Sequence, residues 1–201
     1  TGFGQTGPYA PRPGYDFIIQ GMGGFMSLTG DPGGEPQKAG VAYADIFTGV
    51  YAAVGLLAAL RRRDETGQGA HVDMALFDTQ VAVLQNHSLN HLVAGIEPKR
   101  MGNAHAQLVP YQVVPAKDGH IILATGNDGQ YRRTCDMLGV PELKDDPRFA
   151  SNERRVVNRD LLMPLLIART ITRPRSSAAN CRGRRRSSAQ ARANSCHAAR
   201  V

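Results

Sequence analysis

Apolar positions fall into blocks separated by Gly- and Pro-rich polar stretches, and the blocks predict the elements. Thr1 to Gly14 reads as loop. Tyr15 to Leu28 clusters apolar residues around Gly21, Gly23 and Gly24 and predicts one helix. An interior Gly costs about 1 kcal/mol relative to Ala, so three of them point to close backbone packing on the glycine side. Thr29 to Gly40 is again loop. Val41 to Arg63 predicts a long helix, apolar on every side until Arg61, Arg62 and Arg63. All-round apolarity implies burial. A membrane span is the alternative by length; frequent Ala and Gly, Asp45 inside the run and no second span argue against it.

Thr66 to Gly69 predicts a turn, Ala70 to Met74 a short strand and Leu76 to Val93 a helix. That order suits the edge of an α/β layer. Further on, strands over Leu108–Val114 and His120–Thr125 flank the turn Lys117-Asp118-Gly119 and predict a hairpin. A helix over Gln130–Leu138, a polar loop over Pro141–Asn152 and a helix over Glu153–Ile171 follow. The expected organisation is α/β: residues 1–96 as part of a large domain, 97–107 as linker, 108–171 as part of a small α+β domain, and 172–201 as a tail. The opening at Thr1, inside a loop, reads as a fragment of something longer.

Composition changes the picture mainly at that tail. The 201 residues carry a formal charge of +7. Nine arginines and no acid lie in 169–201, which leaves a body of net −2. The basicity therefore says nothing about the folded part. The tail has no periodicity and almost no branched aliphatics, and predicts disorder. A basic arm for nucleic acid is one reading, weakened by the lack of aromatics for stacking. The other is a GC-rich gene read out of frame. Of three cysteines, Cys135 falls in a predicted helix as a small buried hydrophobe, and Cys181 and Cys196 in the tail. No spacing suggests a disulfide framework or metal site, which fits a reducing cytoplasm.

Asp45 is the one charged residue in Val41–Leu60. Burying a carboxylate is costly, and perturbed carboxylates gather at working sites. In the first turn of a helix, free N–H groups and the dipole favour its ionised form. A plain helix cap is the competing role. Gly49, one turn on, leaves room for a substrate to approach the backbone. His87 and His91 stand i, i+4 but lack a third ligand.

The segments TGFGQTGPY (1–9), PGYDFIIQGMGG (13–24), ADIFTGVYAAVGLLAAL (44–60), TGQGAHVDMALFD (66–78) and GNAHAQLVPYQVV (102–114) carry a resemblance. In order and spacing the chain resembles the class III CoA-transferases of the CaiB/BaiF type over Thr1 to about Arg173. Its closest look is to the succinyl-CoA-dependent dicarboxylate (succinate–hydroxymethylglutarate) transferases. The resemblance implies a Rossmann-like large domain, an interlocked homodimer in full-length members, and a chain roughly half the family's length, impaired alone.

It also implies chemistry. Asp45 becomes a covalent nucleophile, moving CoA from an acyl-CoA thioester to a small carboxylic acid without a metal or a permanently bound cofactor. Arg12, Pro13, Gly14 and Tyr15 align with a stretch lining the CoA channel, and Arg12 faces a phosphate or carboxylate. Related α-methylacyl-CoA racemases carry a His where Tyr15 falls. A phenol near pKa 10 replaces an imidazole near 6.5 poorly as a base, so the transferase is favoured over a racemase or isomerase. Gly49, Asn103 and His105 are expected at the substrate, His105 on a carboxylate or else as a structural loop residue. No membrane partner is expected.

Overall fold

The structure, a computed structural model, describes residues 1–178 and 197–200. The chain divides into two compact units, Thr1–Gly102 and Asn103–Val201.

The first unit is built from helices among its described residues. They are α1 (Asp16–Met22), α2 (Phe25–Leu28), α3 (Tyr43–Thr66), α4 (Leu76–Ala82) and α5 (Asn86–Ala94). The single helix expected over 15–28 is broken. Gly24 takes a left-handed φ of 86° between α1 and α2, a conformation that Gly adopts without strain. Gly23 supplies the expected close packing, because a Cβ there would collide with Gln80 Cγ of α4 and stand 2.9 Å from Ile19 O. The helix expected over 76–93 also splits, at Gln85, whose φ is 48°. The strand expected over 70–74 pairs with no other strand among the described residues. Instead, the carbonyls of Thr1 and Gly2 accept from Leu76 N–H (2.9 Å) and Phe77 N–H (3.0 Å), satisfying the open start of α4.

The burial expected for the long helix does not hold in this chain. Of α3 only Ala44 is buried. Val50, Val54, Leu57 and Leu60 face solvent, Leu57 at 67% exposure. Apolar residues on every side give burial only where neighbours stand on every side. Here α3 packs mainly on α1 and α4, with Tyr43 at its start stacked on Phe25 of α2. By length and composition α3 is apolar enough to cross a membrane.

The second unit has its own core. Strands β1 (Tyr111–Ala116) and β2 (Gly119–Ala124) form the expected antiparallel hairpin, with Ala116 opposite Gly119. One hairpin face lays Val114, Ala116, Ile121 and Leu123 on Tyr131, Cys135 and Leu138 of α6 (Asp128–Leu138) and on Leu162, Met163 and Leu166 of α8 (Arg159–Thr170). Each large apolar side chain buried there contributes about 1.5–3 kcal/mol. Asn127 caps α6 by accepting from Gln130 N–H at 2.9 Å, and Gly139 ends it at a φ of 69°. The loop expected over 141–152 contains a 3-10 turn, Pro141–Lys144, and buries Leu143 and Phe149. The helix expected over 153–171 is two: α7 (Asn152–Val157) ends at Asn158 and α8 follows.

Two pieces of the stretch expected to lack order have a place in the fold. Residues 175–178 form a helical turn, α9, and 197–200 add an edge strand, β3, antiparallel to β2. Edge pairing satisfies backbone groups and needs no apolar side chains, so composition alone does not exclude it. The rest of the predicted tail, 179–196 and Val201, lies outside the described residues.

Candidate functional site

Asp45 is the third residue of α3. The sequence placed it in a buried setting, but the structure leaves it exposed. The reason is the bare surface beside it: Ile46, its neighbour, is 53% exposed. Nor is Asp45 the cap. The N-cap residue is Ala42, which has no polar side chain, and α3 receives no cap from its own start. The carboxylate of Asp45 has no partner among the described residues. Around it, Thr48 Oγ1 donates to Ala44 O at 2.7 Å. Gly49 is exposed, with open space where a Cβ would stand.

The missing cap comes from α1. Asp16 Oδ1 accepts from Ala44 N–H at 2.8 Å, and Asp16 Oδ2 accepts from Gln20 Nε2 at 2.8 Å. Tyr15 precedes Asp16 and Asp45 follows Ala44, so this bond draws Tyr15 and Asp45 toward one region of the first unit. Tyr15 is 75% exposed. Gly14 packs against the backbone of Gly2 so closely that a Cβ on either would collide. Arg12, also exposed, lays its guanidinium over the Tyr9 ring, 4.1 Å from the centroid, a cation–π contact. Phe3 meets the same ring edge-on at 5.5 Å. Pro13, between them, is exposed.

Asn103 and His105 belong to the second unit. Asn103 is exposed and His105 half-buried. His105 N–H donates to Tyr111 O at 2.9 Å, and the two rings meet at 5.2 Å. Its Nδ1 accepts from Gln107 N–H at 3.0 Å, which puts the proton of the neutral ring on Nε2. Arg159 holds the turn from below. Its Nη2 donates to His105 O (2.6 Å) and Ala106 O (3.2 Å), and burial lowers the basicity of its guanidinium. Asn152 Nδ2 donates to Gln107 O at 2.7 Å.

Sequence reading missed Asp16, Arg159 and Asn152. The i, i+4 spacing of Asp16 and Gln20 was a usable signal for a side-chain pair, but nothing local pointed to Ala44. A depression of about 260 Å³ lies along α3 between Ala52 and Leu56 on one side and His71 to Met74 on the other. Ala52 is seven residues past Asp45, about 10 Å along the axis, and Asp45 does not line this hollow. No cluster of His, Cys, Asp or Glu among the described residues could hold a metal ion. His91 pairs instead with Glu97, at 3.3 Å.

Comparison with known proteins completes the picture. The chain matches the profile of CoA-transferase family III over residues 1–198. It is 53% identical over 171 residues to succinate–glutarate CoA-transferase of Agrobacterium fabrum, covering 85% of this chain and 43% of the relative. It is 43% identical over 169 residues to succinyl-CoA:glutarate CoA-transferase of Mus musculus, covering 84% and 39%. A crystal structure of a CaiB/BaiF family protein from Brucella suis superposes with a TM-score of 0.71 at 54% identity, over 89% of this chain and 47% of that one. The chain thus spans less than half the length of the relatives it matches.

Proposed function

The chain belongs to CoA-transferase family III, and from that premise we propose that it is part of an enzyme that moves CoA from an acyl-CoA thioester to a free dicarboxylic acid. Succinyl and glutaryl groups are the first candidates, from the names of the relatives.

The observation that carries the proposal is Asp45: a carboxylate in the first turn of a long helix, exposed and without a partner among the described residues, in a chain of this family. Its oxygen attacks the thioester carbonyl, expelling CoA thiolate and forming an aspartyl–acyl anhydride. The thiolate then attacks the aspartyl carbonyl, releasing the donor acid and leaving an aspartyl-CoA thioester. An incoming carboxylate attacks that thioester to give a second anhydride and free thiolate. Thiolate attack on the new acyl carbonyl yields the product thioester and restores the carboxylate. Covalent catalysis divides one hard exchange into easier steps, and the thioester energy is conserved throughout. The positive end of the α3 dipole stabilises the charge that develops on the carbonyl oxygen.

In this reading Arg12, Pro13, Gly14 and Tyr15 face the CoA moiety, and Gly49 leaves room for the thioester. Asn103 and His105 meet the acid, His105 through Nε2–H. The bare apolar side of α3 is covered by protein in the working enzyme: a Rossmann-like domain completed by sequence beyond this chain, in an interlocked homodimer. That covering would exclude water from the anhydride. The 201-residue chain alone is impaired in full turnover while still taking an acyl group onto Asp45, and its setting is the cytoplasm. Tyr15 in place of an imidazole favours transfer over racemisation.

The test is CoA exchange between an acyl-CoA and a labelled dicarboxylate, compared with Asp45→Asn. A loss of about 1000-fold or more is expected on removing the nucleophilic oxygen. Undiminished exchange would refute the assignment. Deuterium uptake at the substrate α-carbon would favour the racemase.

A further inference from the structure

The start of α3 depends on a carboxylate that the reaction leaves without a role. A helix begins with N–H groups that lack intrahelical partners. Ala42 cannot satisfy them, and Asp45 does not. Asp16, 28 residues upstream, takes Ala44 N–H at 2.8 Å. Its other oxygen takes Gln20 Nε2 at 2.8 Å, and Gln20, fully buried, passes the restraint on. Gln20 Oε1 accepts from Ala39 N–H at 2.8 Å, and its Nε2 also meets Val41 O at 3.5 Å. The entry to α3 is thus pinned to α1 at residues 39, 41 and 44. Ala44 is itself fully buried, and its carbonyl is closed by Thr48.

Resting on the reading of Asp45 as nucleophile, we infer that Asp16 is a positioning residue for it. The carboxylate acceptor on Ala44 N–H fixes the Tyr43–Ala44 peptide, one residue before Asp45, and hydrogen bonds to charged groups are roughly twice as strong as neutral ones. Asp16 touches no reacting atom. It sets the direction in which the Asp45 carboxylate leaves the helix, and it does the capping that Asp45 would otherwise be drawn into. A misplacement of about 1 Å at a reacting group can cost on the order of 100-fold in rate.

The test uses the full 201-residue chain as wild type, Asp16→Ala, Asp16→Asn and Asp45→Asn. Each is incubated with succinyl-CoA, quenched with hydroxylamine, and mapped for aspartyl hydroxamate; exchange of the Ala44 amide is followed separately. Asp16→Ala should lower the saturating labelling rate at Asp45 about 10- to 100-fold, leave the half-saturating succinyl-CoA concentration unchanged, and expose the Ala44 amide. Asp16→Asn keeps an acceptor oxygen and should regain most of the rate. Asp45→Asn should lose the label and keep Ala44 protected. Wild-type labelling matched by a folded Asp16→Ala overturns the role of Asp16 alone. A wild type that never labels at Asp45 overturns the nucleophile assignment, and the role of Asp16 with it. Should Asp16→Ala not fold, Asp16→Asn decides: near-wild-type labelling supports the role, and lost labelling with Ala44 still protected overturns it.

Discussion

Arg155 Nη2 donates to Asp128 Oδ1 at 2.8 Å, joining α7 to the first turn of α6. The same guanidinium, 1% exposed, donates to Val109 O (2.8 Å) and Phe149 O (3.0 Å) and stacks over Tyr131 at 4.3 Å. One cation therefore closes four separate segments of the second unit. Arg155→Ala would leave two buried carbonyls unpaired and a hole under Tyr131. A loss of about 3 kcal/mol or more is expected in denaturant unfolding of this unit. Arg155→Lys should recover only part, because a lone ammonium cannot reproduce the fork.

Gly23→Ala places a methyl against Gln80 Cγ and Ile19 O. Neither gives way easily, since Gln80 is fully buried and Ile19 O belongs to the α1 backbone. The expected cost is about 1–3 kcal/mol of stability in the first unit, read by thermal or chemical unfolding. Gly33→Ala, with nothing nearby, serves as the neutral comparison.

Asp118 sits in the hairpin turn and accepts from Arg175 N–H at 2.7 Å. That backbone bond holds its carboxyl below the usual carboxylate range, helped by the Arg175 charge. A folded-state pKa lowered in this way stabilises the fold above the unfolded-state value. The contribution is lost as pH falls through the folded-state value. Asp118→Asn should therefore flatten the acid limb of the stability curve below pH 3.8, the ordinary Asp value. NMR titration of the Asp118 carboxyl should show its midpoint below that value.

Cys135 is fully buried between hairpin and helices, and burial pushes its thiol pKa up. The thiolate is the reactive form, so alkylation in the native protein near neutral pH should be slow. Peptide mapping after brief alkylation should find Cys135 unmodified, and modified after unfolding.

These features differ in how far sequence alone foretells them. The hairpin and α6 were legible because their patterns are local: alternating apolar positions around a Gly turn, and an amphipathic run with Asn127 ahead and Gly139 behind. The splits at Gly24, Gln85 and Asn158 were not, because apolar periodicity continues across each break. For α3 the length was legible and the burial was not. Composition reports what a helix is suited to pack against, not which surfaces lie within one chain. The same limit applies at the site. Asp45 stood out as the only charge in its run, whereas Asp16 acquires its meaning only through Ala44, and Arg159 only through the His105 turn.

The account turns on one oxygen atom. When an acceptor dicarboxylate attacks aspartyl-CoA and thiolate then takes the acyl group, one acceptor oxygen stays behind on the aspartate. A heavy-oxygen-labelled acid should therefore deposit its label in the peptide containing Asp45, and in that carboxylate alone, as CoA exchange proceeds. Exchange that proceeds while the Asp45 peptide keeps its natural mass would contradict the account.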